Sequence, residues 1–68
     1  MEISVFINGE ARAVAPQQTL LELLQYLGLD PARVAVELDR RIVKQARWGD
    51  TVVEAGAQIE IVQFVGGG

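Results

Sequence analysis

The sequence predicts an α+β fold in which one amphipathic helix packs on a β-sheet, and three observations carry that reading. Segments rich in β-branched and aromatic residues, alternating with a period of two, lie on both sides of a single stretch with helical periodicity. Asn8-Gly9 separates the first two segments, where a tight hairpin needs residues that tolerate positive φ. Thr19 and Glu22 open the helical stretch with the spacing of a capping box. At 68 residues the chain holds one domain, and so small a core depends on regular elements.

In chain order, Ile3-Ser4-Val5-Phe6-Ile7 is a strand, Asn8-Gly9 the turn, and residues 10–14 the returning strand, which Pro16 ends because it has no amide hydrogen to donate. The Thr19 hydroxyl can accept from the backbone three residues on while Glu22 reaches back, so a helix covers about residues 20–27. Leu20, Leu23, Leu24 and Leu27 fall on one of its faces, and Gly28 stands where a left-handed C-terminal residue is wanted. Asp30-Pro31 has the form of a second N-terminus, with Asp as cap and Pro in the first turn. Residues 34–38 alternate as a half-buried strand, Asp39-Arg40 turns the chain, and residues 41–44 return. Residues 45–49 read as irregular or 3₁₀, Gly49-Asp50 as a turn, residues 51–53 as a short edge strand, and residues 58–64 as the last strand.

Side chains alternate across a strand, so Ile3, Val5 and Ile7 share a face, as do Val34, Val36 and Leu38, and Ile59 and Ile61. Packed on the leucine stripe, these make a two-layer core, with Trp48 as a further anchor whose indole N–H donates to a loop carbonyl. Glu2, Ser4, Glu37, Gln58 and Glu60 point the other way, and Phe6, Val62 and Phe64 break that polar pattern. If the first and last strands are neighbours, these three cluster on the open sheet face, as a docking patch for a partner, under a loop of the same chain, or as simply tolerated exposed residues. Burying each would be worth roughly 1.5–3 kcal/mol.

The composition excludes several kinds of chemistry. Without Cys there is no disulfide, thiolate metal site or persulfide, and without His the commonest neutral-pH base and metal ligand is missing. The net charge of −3 gives no electrostatic reason for binding nucleic acid or acidic membrane, and no apolar run approaches a bilayer span, so a cytoplasmic location is expected. Arg40, Arg41, Lys44 and Arg47 form the basic cluster, flanked by Asp39 and Asp50, and read as a solvated face or a protein-docking patch. Glu37 and Asp39 share a strand face but read as surface carboxylates, so no catalytic side chain is expected.

That leaves Val65-Gly66-Gly67-Gly68, which follows directly on the last strand. A glycine-rich end is in general more often a frayed tail than a site. Here the expectation is a domain over residues 1–64 and a flexible tail over 65–68, reaching roughly 13 Å at about 3.3 Å per residue. Lacking β-carbons, such a tail is narrow enough to thread a tunnel or pair with a partner's strand edge. Its carboxylate is ionised at neutral pH and resists nucleophiles, so it needs activation from outside the chain.

The strand–helix order, the segment from Val36 to Trp48, and Ile59-Glu60-Ile61-Val62-Gln63-Phe64 leading into the glycines resemble the ubiquitin-like, β-grasp sulfur carriers, most closely the thiamine-biosynthesis branch. The resemblance spans the whole chain and implies a mixed sheet packed on one main helix. It also implies that Gly68 is the covalent site, adenylated by an E1-like adenylyltransferase using ATP. Sulfur originating from a cysteine desulfurase then converts Gly68 to a thiocarboxylate, and Val65, Gly66 and Gly67 thread into thiazole synthase, the acceptor. On this reading the chain is no enzyme, binds no cofactor or metal, and serves as protein substrate of the activating enzyme. Phe6, Val62 and Phe64 would be its docking patch. The same chemistry belongs to the small subunit of molybdopterin synthase, which tends to carry prolines ahead of its diglycine, and residues 61–65 have none. A protein modifier joined through Gly68 and a non-covalent β-grasp adaptor are the other readings.

Overall fold

In the computed structural model, which describes residues 1–64, the chain runs β1 (Ile3–Ile7), β2 (Glu10–Val14), α1 (Leu20–Tyr26), a 3₁₀ turn (Pro31–Arg33), β3 (Val34–Leu38), β4 (Arg41–Val43), a second 3₁₀ segment (Gln45–Asp50) and β5 (Gln58–Gln63). The strands form one mixed sheet in the order β2-β1-β5-β3-β4. β1 and β5 are parallel, and the other neighbours are antiparallel. Both hairpins close through two residues at positive φ, the pair whose twist matches that of the flanking strands: Asn8 (51°) with Gly9 (84°), and Asp39 (50°) with Arg40 (71°).

The helix has the ends its sequence predicts. The Thr19 side chain accepts from the Glu22 N–H at 3.2 Å, and Glu22 Oε1 accepts from the Thr19 N–H at 2.9 Å. At the other end Gly28, at φ 76°, donates to the Gln25 carbonyl at 3.0 Å and Leu29 donates to Leu24 at 3.0 Å. These two bonds satisfy carbonyls that the last turn leaves free, and only a residue without β-carbon strain adopts that φ cheaply. Leu20, Leu23 and Leu24 are fully buried. They pack with Val5, Ile7, Val14, Val34, Val36 and Ile59 from the sheet, and with Trp48, Val53 and Ala57. The Trp48 indole N–H donates to the Val43 carbonyl at 2.8 Å, which joins the 3₁₀ segment to the end of β4.

Five boundaries differ from expectation. α1 ends at Tyr26, with Leu27 as its C-terminal flank, and the second 3₁₀ segment takes in Gly49 and Asp50. Residues 51–53 are no strand of the sheet: Val52 forms an isolated antiparallel bridge with Thr19. Leu20 donates to the Thr51 carbonyl and Val53 to the Gln18 carbonyl, each at 2.9 Å. β-branched composition favoured extended backbone there, but its partner is the entry to α1, where it satisfies an amide that a helix start leaves free. β4 ends at Val43, one residue early, because Lys44 begins the 3₁₀ segment as its N-terminal flank. β5 ends at Gln63, although the Phe64 N–H still donates to the Arg33 carbonyl at 2.7 Å.

Candidate functional site

β5 lies between β1 and β3, so the strand that carries the chain towards residues 65–68 is an inner strand of the sheet. Ile59 is fully buried and Ile61 partly so, which anchors it to the core. At its start the Asp39 N–H donates to the Gln58 carbonyl at 2.7 Å, and Asp39 Oδ1 accepts from the Gln58 N–H at 2.9 Å. Asp39 is therefore a cap on β5 as well as a surface carboxylate. Towards the other end the Asn8 amide bonds to both backbone groups of Ile61. Val65, Gly66, Gly67 and Gly68, the residues expected to carry the chemistry, lie outside the described residues.

The open face of the sheet exposes Phe6 (40%), Val62 (60%) and Phe64 (54%), so the reading in which a loop of the chain covers them does not hold. They do not form the single cluster expected. Phe6 pairs with Gln58, four residues and about 13 Å along β5 from Val62. Val62 instead pairs with Ala35, and Phe64 follows it on the Arg33 side. The parallel register places β1 beside the start of β5, and neighbouring strands alone do not fix that offset.

Ile42 joins the Val62 end of the face and was missed. It is 77% exposed, and it pairs with Glu37, which in turn pairs with Glu60 on β5. Ala35, Glu37, Ile42, Glu60 and Val62 line a shallow hollow of ≈ 100 Å³. Glu37 and Glu60 face each other across the ladder, an arrangement that costs a fraction of a kcal/mol, about 0.2–1. Among the described residues neither has a cationic partner, the one ion pair there being Arg33 with Asp30 at 3.6 Å. The signal that could have found Ile42 was the two-residue Asp39-Arg40 turn, which fixes the β3–β4 register and leaves Val43 inward and Ile42 outward.

The remaining candidates are structural or solvated. Arg40, Arg41, Lys44 and Arg47 are all exposed. Among the described residues no His, Cys, Asp and Glu side chains gather as a metal ion would need, and no polar side chain is buried. No helix there is long and apolar enough to cross a membrane. An open concavity of ≈ 530 Å³ lies between the end of α1 and the Asn8 end of the sheet. Its polar lining, Asn8, Arg12, Tyr26 and Gln63, is exposed, and the Asn8 amide is already bonded to the Ile61 backbone.

Comparison with known proteins places this geometry. Residues 5–68 match the ThiS family. The chain is 32% identical over 66 residues to the sulfur carrier protein ThiS of Escherichia coli, covering 97% of this chain and 100% of that one. It is 38% identical over 66 residues to a thiazole synthase of Magnetococcus marinus and 39% identical to one of Paramagnetospirillum magneticum. In each case 97% of the chain is covered but only 20% of the synthase, so the chain spans a fifth of those two relatives. The crystal structure of a thiamine biosynthesis protein (ThiS) from Geobacter metallireducens superposes with a TM-score of 0.84 at 29% identity, covering 97% of this chain and all of that one. A solution structure from the same organism gives 0.82 at 30% identity.

Proposed function

The chain belongs to the ThiS family, and on that premise we propose that it carries sulfur for thiazole formation in thiamine biosynthesis, as a protein substrate and not as an enzyme. The observation that carries the proposal is the extent of the family match, which includes the Val65-Gly66-Gly67-Gly68 segment following the inner strand β5. The Gly68 carboxylate attacks the α-phosphorus of ATP in an E1-like activating enzyme and pyrophosphate leaves. A persulfide, formed from cysteine by a desulfurase, then attacks the acyl carbon and AMP leaves. A thiol cleaves the S–S bond of the resulting acyl disulfide, supplying the two electrons and ending in a disulfide itself. The product is a thiocarboxylate. A chain without Cys suits this chemistry, because the sulfur is held on the chain end and needs no thiol of the carrier's own.

The acceptor is a thiazole synthase. The two synthases above contain a segment similar to nearly all of this chain, and joining donor to acceptor within one polypeptide raises their effective concentration. The cytoplasm, where ATP and the desulfurase meet, is the proposed compartment. The open sheet face is the proposed docking surface: Ile42, Val62 and Phe64 at one end and Phe6 at the other supply apolar area. The Glu37–Glu60 pair favours a partner that brings a cation to the face.

The test is intact-protein mass spectrometry after incubation with the activating enzyme, ATP and a sulfur donor. The chain should gain the mass of one oxygen-to-sulfur exchange at Gly68, and the product should then support thiazole formation by thiazole synthase. No mass change, or turnover only with the large subunit of molybdopterin synthase, would reject the assignment. Recovery of Gly68 in isopeptide bonds to lysines, without thiocarboxylate, would make the chain a modifier.

A further inference from the structure

Building on the carrier reading, we infer that Asn8 is a positioning residue for the reactive end of the chain, acting through Ile61 on β5. β1 pairs with β5 at two positions only, Phe6 with Gln58 and Ile7 with Ile59, because the chain turns back into β2 directly afterwards. The Asn8 N–H donates to the Ile59 carbonyl at 2.8 Å, and from there its side chain continues the ladder. Asn8 Oδ1 accepts from the Ile61 N–H at 2.8 Å, and Asn8 Nδ2 donates to the Ile61 carbonyl at 3.2 Å. A primary amide has one acceptor and one donor side in the same plane, so it supplies both bonds that another strand residue would have made. Among the described residues, Ile61 is the last β5 residue tethered from the β1 side, and Phe64, tethered to Arg33, is the last from the β3 side.

The hairpin does not require this amide. Its demand on residue 8 is the positive φ of 51°, which glycine and aspartate also meet. Both side-chain bonds are spent across the sheet, on a residue 53 positions away, and none within the turn. Without them the last tether on this side moves back from Ile61 to Ile59, about 6.6 Å along the strand. Residues 60–64 would then be held from the β3 side alone. An enzyme acting on Gly68 would have to fix that segment on binding, whereas the chemistry at the carboxyl group, once seated, would be unchanged. The effect belongs in KM and not in kcat.

The experiment compares the full-length wild type with Asn8→Gly, which keeps the turn and removes the amide, and Asn8→Asp, which keeps the acceptor and removes the donor. Amide hydrogen exchange and steady-state thiocarboxylate formation with the activating enzyme are measured on the same samples. In Asn8→Gly the Ile61 amide should exchange about tenfold faster, the scale of one lost hydrogen bond, while the Phe6 amide keeps its protection. KM for the carrier should rise about fivefold, the scale of re-fixing one backbone residue, with kcat within about twofold. Asn8→Asp should lie between. Unchanged Ile61 exchange, unchanged KM despite faster exchange, or equal loss of protection at Phe6 would overturn the inference. A wild type that gains no sulfur rejects the carrier reading instead, and the Ile61 exchange then still decides whether the clamp exists.

Discussion

Ile42→Thr separates a docking surface from a tolerated exposed side chain. Threonine keeps the β-branch that suits an edge strand, so backbone preference is held nearly constant. The substitution removes about two carbons of apolar side chain, worth about 1.6 kcal/mol if wholly buried. Ile42 is 77% exposed in the free chain, so folding accounts for only about a quarter of that, about 0.4 kcal/mol. A partner that covers the residue gains the other three quarters, about 1.2 kcal/mol, which is close to eightfold in Kd. The urea midpoint should therefore hardly move, while titration calorimetry against the activating enzyme and thiazole synthase should show weakening towards at least one of them. If affinity for both is unchanged, or if stability falls as far as affinity does, the Ile42–Val62 end of the face is not a docking surface.

Other perturbations address the core, the turn and the tail. Leu23 is fully buried at the centre of the helix stripe, so Leu23→Ala should cost about 2–5 kcal/mol, a large part of the stability of so small a domain, read as a lower urea midpoint. Arg40 sits at φ 71° without the freedom of glycine. Arg40→Gly relieves about 1–2 kcal/mol of left-handed strain and loses about 0.4–1 kcal/mol to the looser unfolded chain. Its melting temperature should rise, and a fall would show that the Arg40 side chain contributes more than its backbone strain costs. Deleting Gly67 and Gly68 should leave the melting curve of the domain unchanged and abolish thiocarboxylate formation; retained cellular function would point to a non-covalent adaptor.

Local signals made most elements legible, and pairing made the rest invisible. The capping box, Gly28 and the leucine stripe each act within one or two turns of chain, so the helix could be placed within a residue. Asn8-Gly9 and Asp39-Arg40 likewise announce their own turns. The position of Phe6 relative to Val62 depends on a parallel pairing between strands some fifty residues apart, and no local preference encodes that offset. Residues 51–53 had the composition of a strand, but the identity of their partner, the start of α1, is a tertiary fact. Of the candidate site, Ile42 could be read only by carrying the two-residue Asp39-Arg40 turn through to the β3–β4 register that sets its outward face. Asn8 was legible as a turn residue only. Its second role needs the knowledge that β5 passes beside it.

The strand order explains why the tail is attached where it is. An edge strand is paired along one side and frays readily, so a reactive segment growing from it would inherit that motion. β5 is paired on both sides, is anchored by Ile59, and is capped at its start by Asp39. The one place where this support would lapse is beyond Ile59 on the β1 side, since a hairpin must turn there, and that is where the Asn8 amide stands. The same central placement puts Val62 and Glu60 on the open face with Ile42 and Glu37, so the strand that leads to the tail also contributes to the proposed docking surface. A partner that recognises this face thereby fixes the origin of the tail. Docking and delivery are then coupled through one rigid strand, so a substitution that loosens β5 should impair both, whereas one on the face alone should impair docking and leave the Ile61 amide protected.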